Sequence, residues 1–165
     1  MEPREFFPSM PDEVFDMWLA PFIAEIGWPF TEHNTDTTGT RWVNLLGETP
    51  LPQWMSCTWD LVDIDFRKIK ISTSSQFALH AVIQFCTAGT HTEAANLANT
   101  KDRFRACADF IAANGRIPSP IVAIIRGEEF DIVDGNHRIA ALAHVGPPKN
   151  YLIPAWVPSF EKPNK

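Results

Sequence analysis

The chain has 165 residues, of which 45% are hydrophobic and 21% charged, and it carries a net charge of -6 at pH 7. This composition is typical of a globular domain with a sizeable core, and no run of about 18 apolar residues predicts a membrane span. The negative charge disfavours nucleic acid as a partner, and the first residues lack a signal-peptide pattern, which predicts a cytoplasmic location.

The first predicted element is an amphipathic helix over residues 11–27. Ser9 is a candidate N-cap, Gly27 marks the end, and Pro21 removes one internal hydrogen bond and predicts a kink. The apolar stripe must pack against something, so we expect it to cover one side of the main domain, with a partner-binding helix as the alternative. The stripe consists of Val14, Phe15, Trp18, Leu19, Phe22, Ile23 and Ile26.

Residues 30–58 are rich in turn-forming residues and predict a long loop region. Trp42, Trp54 and Trp59 are expected to anchor this region to the core, and a long aromatic loop can also form the lid of a site. Together with the first helix, these residues predict a helical and loop extension over 1–59, packed on the core. Its Trp-rich part is a candidate surface for a protein partner.

A different pattern begins at residue 60. Residues 61–66 predict a strand, Ser74–Ser75 can cap a helix that extends to about residue 85, and Thr90–Glu93 forms a capping box. The helical stretch that follows the box is expected to break at Asn99–Thr100, to resume, and to end at Gly115. Its core stripe consists of Phe104, Cys107, Ala108, Ile111 and Ala112, in which Cys107 is interpreted as a small core residue.

The remaining residues predict a β-hairpin followed by a helix. Two β-rich apolar runs, 120–125 and 129–133, flank a tight turn at 126–128. Residues 135–145 predict a helix that stops before Gly146-Pro147-Pro148.

The last predicted strand covers residues 151–157, and Pro154 suggests a position at the edge of the sheet. The elements therefore predict an α+β fold over residues 60–158. Residues 159–165 are expected to form a frayed tail.

The candidate functional side chains are concentrated at one strand-to-helix corner, in the stretch Ile132–Leu142. The first turn of a helix leaves backbone N–H groups unpaired, and the helix dipole adds positive potential there. Gly135 lets a ligand approach the backbone, while His137 and Arg138 add side-chain donors. The combination predicts an anion site, with phosphate as the leading candidate.

Asp134 would repel a phosphate unless a cation or a proton intervenes. It is therefore expected to hold Mg²⁺, or to accept a proton from an attacking hydroxyl or water. The alternative is structural, in which Asp134 caps the helix and pairs with Arg138 four residues later.

Two segments carry a resemblance to a known family. Asn114-Gly115-Arg116-Ile117-Pro118-Ser119-Pro120-Ile121-Val122-Ala123 and Asp134-Gly135-Asn136-His137-Arg138, followed by Ala140-Ala141-Leu142, resemble the ParB/sulfiredoxin-like superfamily. The second segment is similar to G-C-H-R of sulfiredoxins, G-E-R-R of ParB proteins and D-G-H-H-R of free serine kinases. The resemblance covers roughly residues 60–157 and comes closest to the free serine kinase-like branch.

The resemblance implies a ParB/sulfiredoxin-like domain with a small mixed sheet and helices, which binds ATP or another nucleoside triphosphate with Mg²⁺. The implied nucleotide-binding residues are Gly135, Asn136, His137, Arg138 and Arg103, with Arg105 as the alternative to Arg103 on the preceding helix. The implied catalytic residues are Asp134, His137 and Arg138, and Asp134 is the implied metal ligand. The expected activity is phosphoryl transfer to an unidentified acceptor, or hydrolysis of the nucleotide.

Two departures from the family pattern argue against particular branches of the family. Asn136 stands where sulfiredoxins have their cysteine, so the reductase chemistry lacks its nucleophile. No helix-turn-helix pattern follows, which argues against a chromosome-partition ParB. The alternatives are a non-catalytic module that binds a nucleotide or another anion, and a ParB-like DNA-binding protein or nuclease, which the net charge disfavours.

Overall fold

The computed structural model describes residues 2–47, 49–70 and 97–160, with the backbone alone for 70 and 97–101, and it has an α+β architecture. The helix predicted from Ser74 and the capping box at 90–93 lie outside the described residues. Two compact units are present. The first comprises the chain up to Leu61 and the segment that starts at Trp156, and the second comprises Val62–Ala155.

In the first unit, a short 3-10 helix, Pro3–Phe6, precedes the long helix α1. Helix α1 consists of Asp12–Val14, a π-helical stretch Phe15–Leu19, and Ala20–Ile26. The π-helical stretch ends two residues before Pro21, whose missing N–H cannot continue the regular hydrogen-bond pattern, so a wider turn lies at this point of the helix.

The predicted extent of α1 is confirmed, and Gly27 ends it by donating its N–H to the carbonyl of Ile23 at 2.9 Å. The predicted N-cap is wrong. Pro11 occupies the cap position, and the Ser9 hydroxyl instead donates to the carbonyl of Cys57 at 2.6 Å. The N-terminal half of the apolar stripe is buried, whereas Phe22, Ile23 and Ile26 are half-exposed.

Residues 30–58 contain two short helices, α2 (Trp42–Leu46) and α3 (Leu51–Ser56), so the prediction of a long loop is wrong. Helices of this length show too few turns for apolar periodicity to reveal them. Trp42 and Trp54 are fully buried, and their indole N–H groups donate to the carbonyls of Gly27 at 3.1 Å and Leu46 at 3.2 Å. These rings anchor both helices within the first unit.

Aromatic side chains dominate the core of the first unit. The Trp28 ring makes edge contacts with four other rings, at centroid distances from 4.8 to 5.6 Å. All 6 tryptophans of the chain belong to this unit. They are Trp18, Trp28, Trp42, Trp54, Trp59 and Trp156.

A mixed sheet of five strands forms in the order β1-β5-β3-β4-β2. Strands β3 and β4 form the predicted antiparallel hairpin around Gly127–Glu128, and β2 pairs with β4 in parallel. The second unit contains β2, β3, β4 and the parts of β1 and β5 that lie within Val62–Ala155. The strand bounds are β1 Thr58–Asp65, β2 Ile69–Lys70, β3 Ile121–Arg126, β4 Glu129–Asp134 and β5 Leu152–Ser159.

Strand β5 lies between β1 and β3, so the edge position predicted from Pro154 is wrong. Ile153, Ala155 and Val157 on this strand are 0%, 0% and 3% exposed. The free energy gained by burying three apolar side chains exceeds the loss of the one hydrogen bond that Pro154 cannot donate. A backbone hydrogen bond contributes only about 1 kcal/mol net to stability.

Two helices of the second unit pack against each other: α4, Leu97–Asn114, and α5, Asn136–Val145. Helix α4 is continuous through Asn99–Thr100, so the predicted break is wrong; the propensity cost of these residues is below about 0.7 kcal/mol each. Within the described residues, no helix combines the length and apolar character that crossing a membrane requires.

The inward faces of α4 and α5 carry their buried residues. Phe104 and Ile111 of α4 are buried, Cys107 and Ala108 are half-buried, and Ala112 is exposed, so the predicted stripe holds for four of its five positions. Helix α5 buries its middle segment, Ile139–Leu142. Gly115 and Gly146 follow the two helices, as predicted.

Candidate functional site

The corner begins with an irregularity at the end of β4. Regular antiparallel pairing extends from Arg126 opposite Glu129 to Ala123 opposite Ile132, but Asp134 then pairs with Val122. The register therefore contains one extra residue, Val133, which is a β-bulge. Bulges at strand ends redirect the following residue, and here that residue is Asp134.

Gly135 makes the turn from β4 into α5. Its φ angle is 110°, and a Cβ atom built there would lie 2.5 Å from Cγ2 of Ile121. Glycine is required at this position for two reasons. Residues with a side chain disfavour a positive φ, and the space that a Cβ atom would occupy is filled by Ile121. Gly135 also occupies the N-cap position of α5 without any side-chain cap, so Asp134 is not the helix cap. The first-turn N–H groups consequently lack a capping side chain, as an anion site requires.

The Arg138 side chain is 12% exposed and is engaged with the protein itself. Its Nη2 donates to Oδ2 of Asp134 at 2.6 Å. Its Nη1 donates to the Ser119 hydroxyl oxygen at 2.8 Å and also to the carbonyl of Pro120. The guanidinium thus ties the corner to the segment that enters β3. The ion pair expected under the structural alternative is present, and the guanidinium is also engaged by Ser119 and Pro120.

Asp134 forms an ion pair yet remains mostly buried, with 24% of its side chain exposed. Burial raises the pKa of its carboxyl group above the ordinary value, although the charge and hydrogen bond of Arg138 act in the opposite direction. The effect of desolvation on this pKa is larger than the effect of Arg138, because the free energy lost on removing a carboxylate from water exceeds the attraction to one cation. A carboxylate of raised pKa is a stronger base than an exposed one.

His137, on the first turn of α5, is half-buried, and its Nε2 atom has no hydrogen-bond partner within the described part of the chain. Burial lowers its pKa, and the positive charges of Arg103 and Arg138 act in the same direction. His137 is therefore neutral near pH 7. Of the two cations considered on the preceding helix, Arg103 is the one whose charge acts on His137, and its side chain is exposed.

The structure brings together Asp134, Gly135, His137 and Arg138 at the corner, with Arg103 within electrostatic range. Asn136 starts α5 and is exposed to solvent. Asp134 was the one metal ligand expected from the sequence. The described ranges contain no group of three or more His, Cys, Asp or Glu side chains that could hold a metal ion.

Sequence reasoning missed the role of Ser119 in this corner. Nineteen positions separate it from Arg138, and a serine between two prolines carries no signal of a hydrogen bond to a distant guanidinium. It also missed the proximity of Cys107 to Arg138, whose charge partly offsets the rise in the thiol pKa that burial causes.

A groove of about 510 Å³ lies elsewhere in the second unit, lined by residues 65–67 and 147–152. Arg67 forms a forked ion pair with Asp65 in this groove and lowers the pKa of that carboxyl group to about 2. The two side chains therefore neutralise each other. None of the predicted site residues lines this groove.

No protein-family model, no curated protein and no solved structure matches this chain. The resemblance to the ParB/sulfiredoxin-like superfamily therefore depends on the two segments quoted above.

Proposed function

We propose that the corner at residues 134–138 binds a nucleoside triphosphate, ATP or another, within a ParB/sulfiredoxin-like domain. The activity proposed there is Mg²⁺-dependent phosphoryl transfer or nucleotide hydrolysis. The observation that carries this proposal is the glycine-led, uncapped start of α5, which lies directly beside the carboxylate of Asp134. Such a helix start offers backbone donors to phosphate oxygens, and the carboxylate supplies the group that phosphoryl transfer requires.

The surroundings of each residue suggest its role. The backbone N–H groups of residues 136–138 contact the phosphates, and the exposed Arg103 supplies the mobile positive charge. Neutral His137 donates or accepts a single hydrogen bond through Nε2, which has no partner among the residues that the structure describes. Arg138 orients Asp134 by the 2.6 Å ion pair and does not clamp the phosphate directly.

Asp134 accepts the proton of the attacking hydroxyl or water, or it holds Mg²⁺. Magnesium sites at phosphates commonly use one or two carboxylates together with phosphate oxygens and waters, so a single aspartate fits this chemistry. Bound Mg²⁺ would neutralise the charge of the phosphate oxygens. The raised pKa of Asp134 favours the role of proton acceptor.

A second candidate function is a nucleotide-binding or anion-binding module without turnover. The observation that favours it is that Asp134 and Arg138 satisfy each other, as two residues with a purely structural role would. A protein partner of the Trp-rich first unit would have to bind other residues than Trp18, Trp42 and Trp54, because each of these rings is 1% exposed.

Isothermal titration of the full chain with ATP, CTP, GTP and ADP, with and without Mg²⁺, tests the binding step. Arg103→Ala should weaken the best nucleotide by roughly tenfold or more, since a hydrogen bond to a charged group contributes about 1.5–3 kcal/mol. Arg105→Ala is the matched control, because Arg105 lies on the same helix and is also exposed, while its charge does not act on His137. Failure of all four nucleotides to bind would contradict the proposal.

Asp134→Asn separates the two candidate functions. If Asp134 is the proton acceptor, binding persists while turnover falls by ~10²–10⁴. If it holds the metal, Mg²⁺-dependent binding and turnover are lost together. Unchanged turnover in this variant would contradict both catalytic roles of Asp134. A wild-type protein that binds nucleotide but neither releases phosphate nor transfers it to an acceptor would favour the module.

A further inference from the structure

Ser119 lies at the entry to β3 between Pro118 and Pro120, and it is half-buried. Its hydroxyl oxygen accepts a hydrogen bond from Nη1 of Arg138 at 2.8 Å. A hydroxyl that accepts a bond from an arginine keeps its own proton free to be donated elsewhere. The flanking prolines restrict the backbone, so the oxygen is held in place before any ligand arrives.

The same guanidinium holds the carboxylate of Asp134 through its other terminal nitrogen, at 2.6 Å. Because the guanidinium is planar and rigid, it fixes the hydroxyl of Ser119 and the carboxylate of Asp134 relative to each other. A hydroxyl and a carboxylate held by one guanidinium supply the nucleophile and the base that phosphoryl transfer to an alcohol requires.

We propose that Ser119 is the phosphoryl acceptor of this site, so that the protein phosphorylates itself at this residue. The inference rests on the proposed function, because the donor is the nucleoside triphosphate bound at the corner. In the step, Oγ of Ser119 forms a bond to the γ-phosphorus, and the bond from that phosphorus to the β–γ bridging oxygen breaks. The hydroxyl proton passes to Asp134 and then to solvent, and the nucleoside diphosphate leaves.

The phosphorylated form of Ser119 would also interact favourably with its neighbours. The phosphate of a phosphoserine at this position would accept charge-assisted hydrogen bonds from the neighbouring guanidinium of Arg138. Its negative charge would repel Asp134, so Arg138 would exchange a carboxylate partner for a phosphate partner. The modification therefore alters the contact that holds the corner to the segment that enters β3.

The test is incubation of the purified full chain with ATP, CTP or GTP and Mg²⁺, followed by intact mass measurement and peptide mapping. Wild type should gain the mass of one phosphoryl group at Ser119, and Ser119→Ala should gain none. Ser56→Ala is the matched control, because within the described part of the chain the Ser56 hydroxyl bonds to carbonyls of its own helix α3 alone, Pro52 at 3.1 Å and Gln53 at 3.5 Å. Ser119→Thr retains a hydroxyl and should yield phosphothreonine, which guards against misfolding of the alanine variant.

Two measurements separate this inference from the proposed function. A nucleotide that binds by titration without modifying Ser119 overturns the acceptor assignment and leaves the binding proposal standing, whereas absence of binding overturns both. Phosphorylation at another residue also overturns the assignment. Asp134→Asn should bind nucleotide and label Ser119 at least a hundredfold more slowly; labelling at the wild-type rate would indicate a contaminating kinase and refute the inference.

Discussion

Replacing Gly135 by alanine should destabilise the corner far more than replacing a glycine in an open turn. The backbone φ of 110° at Gly135 costs a side chain about 1–2 kcal/mol. In addition, the new Cβ would lie 2.5 Å from Cγ2 and 2.9 Å from Cβ of Ile121. Ile121 is 0% exposed and cannot move into solvent. Forced overpacking of this kind costs about 1–3 kcal/mol, so the total is about 2–5 kcal/mol.

The hairpin glycine, Gly127, provides the matched control. Its φ of 66° carries a similar backbone cost, but an added Cβ would meet no atom within 4 Å. Gly127→Ala should therefore lose only about 1–2 kcal/mol. Urea unfolding of both variants, followed by far-ultraviolet circular dichroism, gives the two free energies of unfolding. Equal destabilisation by the two substitutions would refute the reasoning, because the contact with Ile121 would then carry no cost.

Three further outcomes follow from the residues already described. Arg138→Ala should cost about 3 kcal/mol of folding stability because it strands a largely buried carboxylate, and adding Asp134→Ala should recover part of that loss in a double-mutant cycle. Because burial lowers the pKa of His137 in the folded state, the unfolded state binds more protons at pH values below about 6.5. Stability should therefore rise as pH increases toward 6.5 and level off above it. His137→Gln should flatten this rise, whereas His33→Gln, at an exposed position, should not. Burial raises the pKa of Cys57 to about 11, so pulse labelling with a thiol reagent and peptide mapping should find Cys57 unmodified until the protein unfolds.

The elements predicted well are those whose signal is local. The hairpin follows from two β-branched runs around Gly127, and the stops at Gly27, Gly115 and Gly146 follow from glycine after an amphipathic helix. The corner was also found from local signals, since a strand, a glycine and a helix are adjacent in the chain.

The features that sequence could not predict depend on contacts distant along the chain. The two short helices α2 and α3 are stabilised by Trp42 and Trp54, which pack in the aromatic core. Helices of this length are unstable in isolation, so tertiary contacts are needed to form them. The parallel pairing of β2 with β4 joins residues some sixty positions apart, such as Ile69 and Phe130. For Arg138, charge and position predicted the ion pair with Asp134 as the alternative to phosphate binding, but they gave no indication of its bond to Ser119.

The placement of every tryptophan in the first unit makes the two units spectroscopically distinguishable. The second unit contains the single tyrosine of the chain, Tyr151, whose hydroxyl accepts the N–H of Ile117 at 2.8 Å. Indole emission excited at the red edge of the absorption band therefore reports on the first unit alone. Circular dichroism in the far ultraviolet samples the backbone of both units. If the denaturation curves from the two signals coincide, the units unfold as one cooperative body; if they separate, each unit has a stability of its own.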